Sequence, residues 1–384
     1  MKSKQWILTF FVSVLLIGIS TAVFVWYSDP HDLGKIENRD YNSFSDYNMR
    51  YIKFKQIQKL KPSYLILGSS RAYAGYDTIN AYFDNNTYNA GVGGASMYEV
   101  NKYFDSALKQ GNLKKVLIGL DYLSFNAQLH VREKNFDDYE QQQIWFYTYT
   151  IRFDAVKDSI KKALGTLKRT HRTFTARGVA ESTEKNMFLD NISVAMSLLK
   201  YTQLYADMSS DYRYGDTKRN SFDDFSTILD ECYKNNIEVE LVFNPSHVLQ
   251  WEVATLNVGY DSWLKWKKDV VDAVYKSAEE HGKKPFPIID FAVYNDITTE
   301  KIPHSSNEMQ YYYDTSHFKR NVGDMVLERL KSGVVKDGFG IELNPRMMDG
   351  YLAKMKQERA DYLKKYLKEN GSLFSKTSAD FDLD

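Results

Sequence analysis

The sequence predicts an α/β protein: a three-layer sandwich with a central parallel sheet, an N-terminal transmembrane helix and a mainly helical insertion. Three observations predict it. Short apolar runs alternate with longer amphipathic stretches, the pattern of parallel strands joined by crossover helices. Several of those runs stop at glycine, asparagine or aspartate, at the end of a sheet where ligands gather. A long uncharged run opens the chain.

That run extends from Trp6 to Tyr27 and follows Lys2 and Lys4. At about 1.5 Å per residue, a helix of this length crosses a hydrocarbon core of roughly 30 Å. Trp6, Trp26 and Tyr27 sit at its ends, where aromatic belts lie, and the positive flank places the amino terminus inside. A cleaved signal peptide is the rival, but the run is long and no A-x-A site follows, which favours an uncleaved anchor. Residues 1–28 are read as that anchor and 29–61 as a linker with a helix around Tyr51 to Leu60. Everything after Ser28 is then outside the cytoplasm, in the periplasm or beyond the cell.

The core domain is read over residues 62–340. Tyr64 to Leu67 forms a strand ending in Gly68-Ser69-Ser70, and Thr87 to Asn89 forms a second ending in Gly91-Val92-Gly93-Gly94. A helix follows from Met97 to Leu108, then a strand at Val116 to Ile118 ending at Gly119. Later strands lie at Ile237 to Phe243, before Asn244-Pro245, and at Pro287 to Ile289, before Asp290. Amphipathic spacing marks helices at Phe222 to Lys234, Trp263 to Glu280 and about Asn321 to Leu330. Residues 122–220 are too long for a connection and read as an insertion or subdomain. It carries Lys161, Lys162, Lys168, Arg169, Arg172 and Arg177, suited to an anionic membrane or glycan, or simply a solvated helix face. Residues 341–384 form a tail with a charged amphipathic helix from Arg346 to Asn370, stopped by Gly371.

Composition narrows the function. With 384 residues, 43% apolar, the chain is long and apolar enough for a sizeable core. Basic and acidic residues number 50 each, so no basic field marks a nucleic-acid binder. The single cysteine, Cys232, excludes an intrachain disulfide and reads as a buried small hydrophobe. No Cys/His cluster has zinc spacing, and neither metal nor cofactor is expected. The glycines after Asn89 do not fit a G-x-G-x-x-G dinucleotide loop.

Three stretches carry chemistry. Ser70 stands on a turn directly after a strand, which exposes a hydroxyl that becomes nucleophilic once a neighbouring base takes its proton. The glycines of residues 91–94 let backbone N–H groups approach closely, as oxyanion stabilisation needs. In Asp314-Thr315-Ser316-His317, an acid three residues before a histidine accepts from one ring nitrogen and frees the other as base. Taken singly, each is common turn chemistry.

Together they resemble the SGNH (GDSL-like) hydrolase superfamily, of flavodoxin-like architecture. Gly68 and Ser70 match its first block, with Ser69 and Arg71 where Asp and Leu usually stand. Asn89, Gly91, Gly94 and Ser96 match the second, and Asp314 and His317 the last. The resemblance implies Ser70 as nucleophile, His317 as base, Asp314 as its orienter, and the Ser70 and Gly94 N–H groups as the oxyanion hole. The third block departs: Gly119-Leu120-Asp121-Tyr122 has an aspartate where the family places a donating asparagine. An ionised aspartate cannot donate. Arg71 pairing with Asp121, or Asn126 donating instead, are the available substitutes. Arg71, Asn89, Asp121 and His247, the last just past a strand end, are read as substrate-contacting or site-shaping.

The Gly-Ser-Ser-Arg form, the anchor and the insertion look like the membrane-anchored branch that acts in alginate O-acetylation and teichoic-acid D-alanylation. That likeness implies O-acylation of a cell-surface or exported polysaccharide, a cell-wall polymer as acceptor, and a multipass membrane-bound O-acyltransferase as partner. Two other readings stay open: an extracytoplasmic carbohydrate esterase or deacetylase, and a non-catalytic glycan-binding subunit of an export complex.

Overall fold

The computed structural model describes residues 3–30, 43–45, 48–126, 136–138, 150, 152–167, 173–181, 194–206, 208–214, 219–303 and 309–370. His31, His130, Lys168, Arg169, His171, Arg172, His304 and Gly371 lie outside them. In chain order the first elements are α1 (Ser3–Ser28), β1 (Ser43–Ser45), α2 (Met49–Leu60), β2 (Tyr64–Leu67), α3 (Ser70–Gly75), β3 (Thr87–Asn89), α4 (Met97–Leu108) and β4 (Lys115–Leu120). Next come α5 (Phe153–Ala163), β5 (Thr173–Thr175), α6 (Val194–Leu204), α7 (Ser221–Lys234), β6 (Glu238–Phe243) and α8 (Val248–Thr255). The last are α9 (Tyr260–Glu280), β7 (Ile288–Asp290), α10 (Arg320–Ser332), β8 (Ile341–Glu342) and α11 (Met348–Asn370).

Two compact units divide the chain. The first comprises Met1–Gln56 and Glu133–Ala176. Its α1 is long and apolar enough to cross a membrane, with a mean hydropathy of 2.5. Nearly every side chain of α1 is exposed, Val25 being the buried exception. β1 and β5 pair antiparallel in the same unit.

The second unit comprises Ile57–Arg132 and Arg177–Asp384 and holds the main sheet, in the order β3-β2-β4-β6-β7-β8. All its pairings are parallel except β7 with β8. β2 is buried at all four positions and β4 at all but its first. Such unbroken apolar runs, without alternation, belong to strands covered on both faces. Burying Leu65, Ile66 and Leu67 stabilises β2 by about 1.5–3 kcal/mol per side chain. From β2 the chain goes to β3 on one side and then to β4 on the other, so the carboxyl end of β2 is a topological switch point.

Helix starts are set by side-chain caps. Ser96 and Glu99 form a capping box on α4, and Asn220 and Asp223 form one on α7. α4 and α7 pack together, and α9 packs on α7 and α8. Cys232 is buried in α7, and burial pushes its thiol up, away from the reactive thiolate. The tail helix α11 is tied down by Tyr351, which donates to Asp290 Oδ2 at 2.8 Å, and by Arg359, which grips Glu252 at 2.8 and 2.7 Å.

Several elements escape the sequence reading, α8 and β8 of the second unit among them. α8 is buried at all eight positions, so it shows no amphipathic stripe to reveal its period. β8 has two residues, too few to display alternation, and runs against its neighbour.

Candidate active site

Ser70 opens α3 directly after β2, capped by Ser69, whose hydroxyl accepts from the Arg71 N–H at 3.2 Å. As the first residue of the helix, Ser70 has no carbonyl a turn earlier to occupy its N–H. Gly68 makes the sharp exit from β2 possible. Its φ is +141°, and a Cβ there would meet the Gly119 carbonyl oxygen at 2.9 Å.

His317 arrives from the loop between β7 and α10. Its Nε2 lies 2.7 Å from Ser70 Oγ. Its Nδ1 lies 2.9 and 3.0 Å from the two oxygens of Asp314. The loop is wound around that carboxylate, because Asp314 Oδ1 also accepts the N–H groups of Ser316 and His317, each at 2.7 Å. Asp314 is fully buried. Burial alone would raise its carboxyl, yet the His317 ring, the Tyr201 hydroxyl and the His317 N–H hold it below the ordinary carboxylate value. An ionised Asp314 keeps the proton on His317 Nδ1 and leaves Nε2 as acceptor for the serine hydroxyl.

Tyr201 was not anticipated. From α6 its hydroxyl donates to Asp314 Oδ2 at 2.8 Å and lies 3.3 Å from His317 Nδ1. It sits far from every motif in sequence, and only its aromatic helical neighbourhood hints at burial.

The glycine-rich stretch lies against the serine turn. Val92 donates its N–H to the Gly68 carbonyl at 3.1 Å, and a Cβ on Gly91 would meet the Ser69 carbonyl oxygen at 2.9 Å. Gly94 takes a left-handed φ of +58°, next to Ala95, whose N–H closes a turn onto the Val92 carbonyl. Asn89 is fully buried and shapes the site from behind. Its amide donates to the Ala72 and Tyr76 carbonyls, both at 3.0 Å, while its oxygen accepts the Gly91 N–H at 3.0 Å.

Arg71 and Asp121 form a buried ion pair at 2.6 Å. Asp121 also accepts from the Ser69 hydroxyl at 2.5 Å and the Asn244 amide at 3.1 Å. Arg71 spends its other donors on the next loop, with Nε to the Ser316 carbonyl at 2.9 Å and Nη2 to the Ser316 hydroxyl at 3.0 Å. Desolvation would lower the guanidinium, but Asp121 more than offsets it and holds the charge in place. The pair thus ties the serine turn to the residue next to His317. Gly119 has to be small because Asn244 Nδ2 lies 2.7 Å from where its Cβ would stand.

Asn126 is buried, and its amide donates to Met208 Sδ. His247 does not line the cleft as the sequence suggested. It is fully buried, caps α8 through Nδ1, which accepts the Leu249 N–H at 3.2 Å, and places Nε2 2.7 Å from the Glu300 carbonyl. Burial pushes this imidazole down to about 4. The strand-end position was legible, but a cap and a cleft residue look alike in sequence.

Among the described residues no group of three His, Cys, Asp or Glu side chains is arranged to hold a metal ion. No family model matches the chain, and no curated protein matches it. The site's own geometry therefore carries the functional argument. A hydroxyl bonded to an imidazole that is bonded to a buried carboxylate is chemically suited to nucleophilic attack on an acyl carbonyl.

Proposed function

We propose that this protein is an SGNH-type serine acyltransferase of three-layer architecture, anchored by α1, that works outside the cytoplasm through an acyl-Ser70 intermediate. The single observation that carries the reading is the continuous Ser70–His317–Asp314 hydrogen-bonded chain at the end of β2. His317 Nε2 takes the Ser70 proton as Oγ attacks the acyl carbonyl. The N–H groups of Ser70 and Gly94 stabilise the oxyanion, and His317 returns the proton to the leaving group. An acceptor hydroxyl then gives its proton to His317 and attacks the acyl-enzyme, and His317 passes that proton to the departing Ser70 Oγ. The acceptor is a cell-surface or exported polysaccharide, the group an acetyl or related small acyl, and the donor side is served by a multipass membrane-bound O-acyltransferase.

The buried Arg71–Asp121 pair supports a division of labour in which the third block positions the serine turn instead of donating to the oxyanion. Supplying the full-length protein with an aryl acetate, with and without oligosaccharide acceptors, tests the proposal. Acetylated sugar that disappears in Ser70→Ala supports transfer. Acetate release alone, also lost in Ser70→Ala, replaces it with a carbohydrate esterase. If Ser70→Ala leaves modification of the surface polymer in cells unchanged, the enzymatic reading is wrong and a glycan-binding subunit takes its place.

A further inference from the structure

We infer that α5 is a second membrane-contact element, lying against the lipid beside the outer end of α1. The inference rests on the anchor reading of α1. All of its residues belong to the unit that contains α1.

The first observation is where α5 is fastened. α1 and α5 pack together. The Ser28 hydroxyl donates to Ser159 Oγ at 2.6 Å, and Lys162 Nζ donates to the Ser28 carbonyl and, at 2.8 Å, to that of Asp29. Lys162 thereby neutralises the carbonyl end of the α1 dipole. The face of α5 that is buried carries Ala155 and Ser159, small residues one turn apart that allow close approach of the two backbones. α5 is therefore fastened at the last residue of α1, immediately after Trp26 and Tyr27, the residues that mark the hydrocarbon–headgroup boundary.

The second observation is what α5 shows on its other side. Phe153 is 83% exposed, Leu164 71% and Ile160 48%. At 100° per residue Phe153 and Ile160 share a narrow stripe turned away from Ala155 and Ser159, and Leu164, the C-cap just past α5, extends it. Large apolar residues stacked on an outward stripe are costly in water and favourable in lipid. A helix packed on the side of a membrane span presents its outer face to whatever surrounds that span at the same level. At the level of Trp26 this is the acyl-chain boundary. Lys161 is held by Asp158 at 3.1 Å, whereas the exposed Lys157 stands beside the stripe with a stem long enough to carry its ammonium group up to headgroup phosphates. The occupant we assign is thus the phospholipid bilayer itself. Its consequence is that the unit containing α1 meets the bilayer through two helices, not one.

Nitroxide labels placed one at a time at Phe153→Cys, Ile160→Cys and Leu164→Cys test this in full-length protein reconstituted into phosphatidylglycerol–phosphatidylcholine nanodiscs. Each position is exposed, so the substitutions leave the core alone, and Cys232 is buried away from the reagent. Labels at Leu16→Cys in α1 and at the exposed Lys283→Cys set the buried and aqueous limits. We expect all three α5 labels to collide with oxygen more often than with a water-soluble nickel chelate, between those limits. Chelate collisions as frequent as at position 283, with position 16 still shielded, would overturn the α5 assignment and leave the anchor intact. Chelate access at position 16 would remove the anchor reading and the α5 assignment with it.

Discussion

Nε2 of His317 lies 2.7 Å from the Ser70 hydroxyl although 247 positions separate the two residues in sequence. The contact exists because β2 and the loop before α10 end at the same edge of one sheet, and because α3 and α10 cross without side chains between them. A Cβ on Gly75 would overlap the Phe318 ring at 1.8 Å, and one on Gly323 would strike the Gly75 carbonyl oxygen at 1.9 Å.

That crossing is directly testable. Gly323→Ala sets a Cβ against the Gly75 carbonyl and forces the helix pair apart, and overpacking of this kind costs about 1–3 kcal/mol. We expect a lowered urea midpoint together with a slowed acylation rate, since α10 begins just after His317. An unchanged midpoint would mean that the two helices separate without cost.

Tyr201 steadies Asp314 through its 2.8 Å hydrogen bond. A hydrogen bond to a charged group contributes about 1.5–3 kcal/mol. Tyr201→Phe should lower single-turnover acylation by an aryl acetate about tenfold with KM unchanged. Asp314→Asn, which defeats the imidazole tautomer, should cost about a thousandfold or more. Equal rates for Tyr201→Phe and wild type would reduce the tyrosine to packing.

Arg71 and Asp121 are both buried, so removing one orphans the other at a cost of about 3–5 kcal/mol. Arg71→Met and Asp121→Leu should each destabilise strongly, and the double substitution should recover much of the loss. Acylation should stay impaired in the double variant, because the tether from Arg71 to Ser316 is gone. A double-mutant cycle in urea, with acylation measured on the same four proteins, separates these effects. Full recovery of acylation would show that the pair serves stability alone.

His247 gives the fold a defined acid sensitivity. Its folded-state pKa of about 4 lies below the unfolded value of about 6.5. Between those values the unfolded chain binds a proton that the folded chain refuses, so stability falls as pH drops. The contribution is complete above about pH 6.5 and is lost progressively down to about pH 4, on the order of 3 kcal/mol in all. His247→Asn keeps an acceptor for the α8 cap and removes the titration. Its melting temperature should decline less steeply than that of wild type over this window, and parallel curves would refute the assignment.

The strands of the sheet were legible because β2 and β4 are apolar runs and β6 an alternating one, each ending at turn residues, and the helices α4, α7, α9 and α10 because one face of each is buried. Periodicity fails where burial is uniform, as in α8, or where an element is too short, as in β8. Within the site, Ser70 was readable from a short motif at a strand end, and Asp314 and His317 from a D-x-x-H motif just before a helix. Tyr201 was not, since nothing in its local sequence records a partner 113 positions away. His247 shows the converse: a histidine after a strand end looked available, and only the Leu249 N–H and the Glu300 carbonyl reveal that both ring nitrogens are committed.

The most direct test asks whether Ser70 is an activated nucleophile. Folded full-length protein treated with a fluorophosphonate should lose fluoride to form one covalent adduct, mapped by tandem mass spectrometry to Ser70 Oγ. The adduct should be absent in Ser70→Ala and should form at least about a thousandfold more slowly in His317→Ala. A wild-type protein that remains unmodified at Ser70, or is modified there equally fast without His317, would contradict the account.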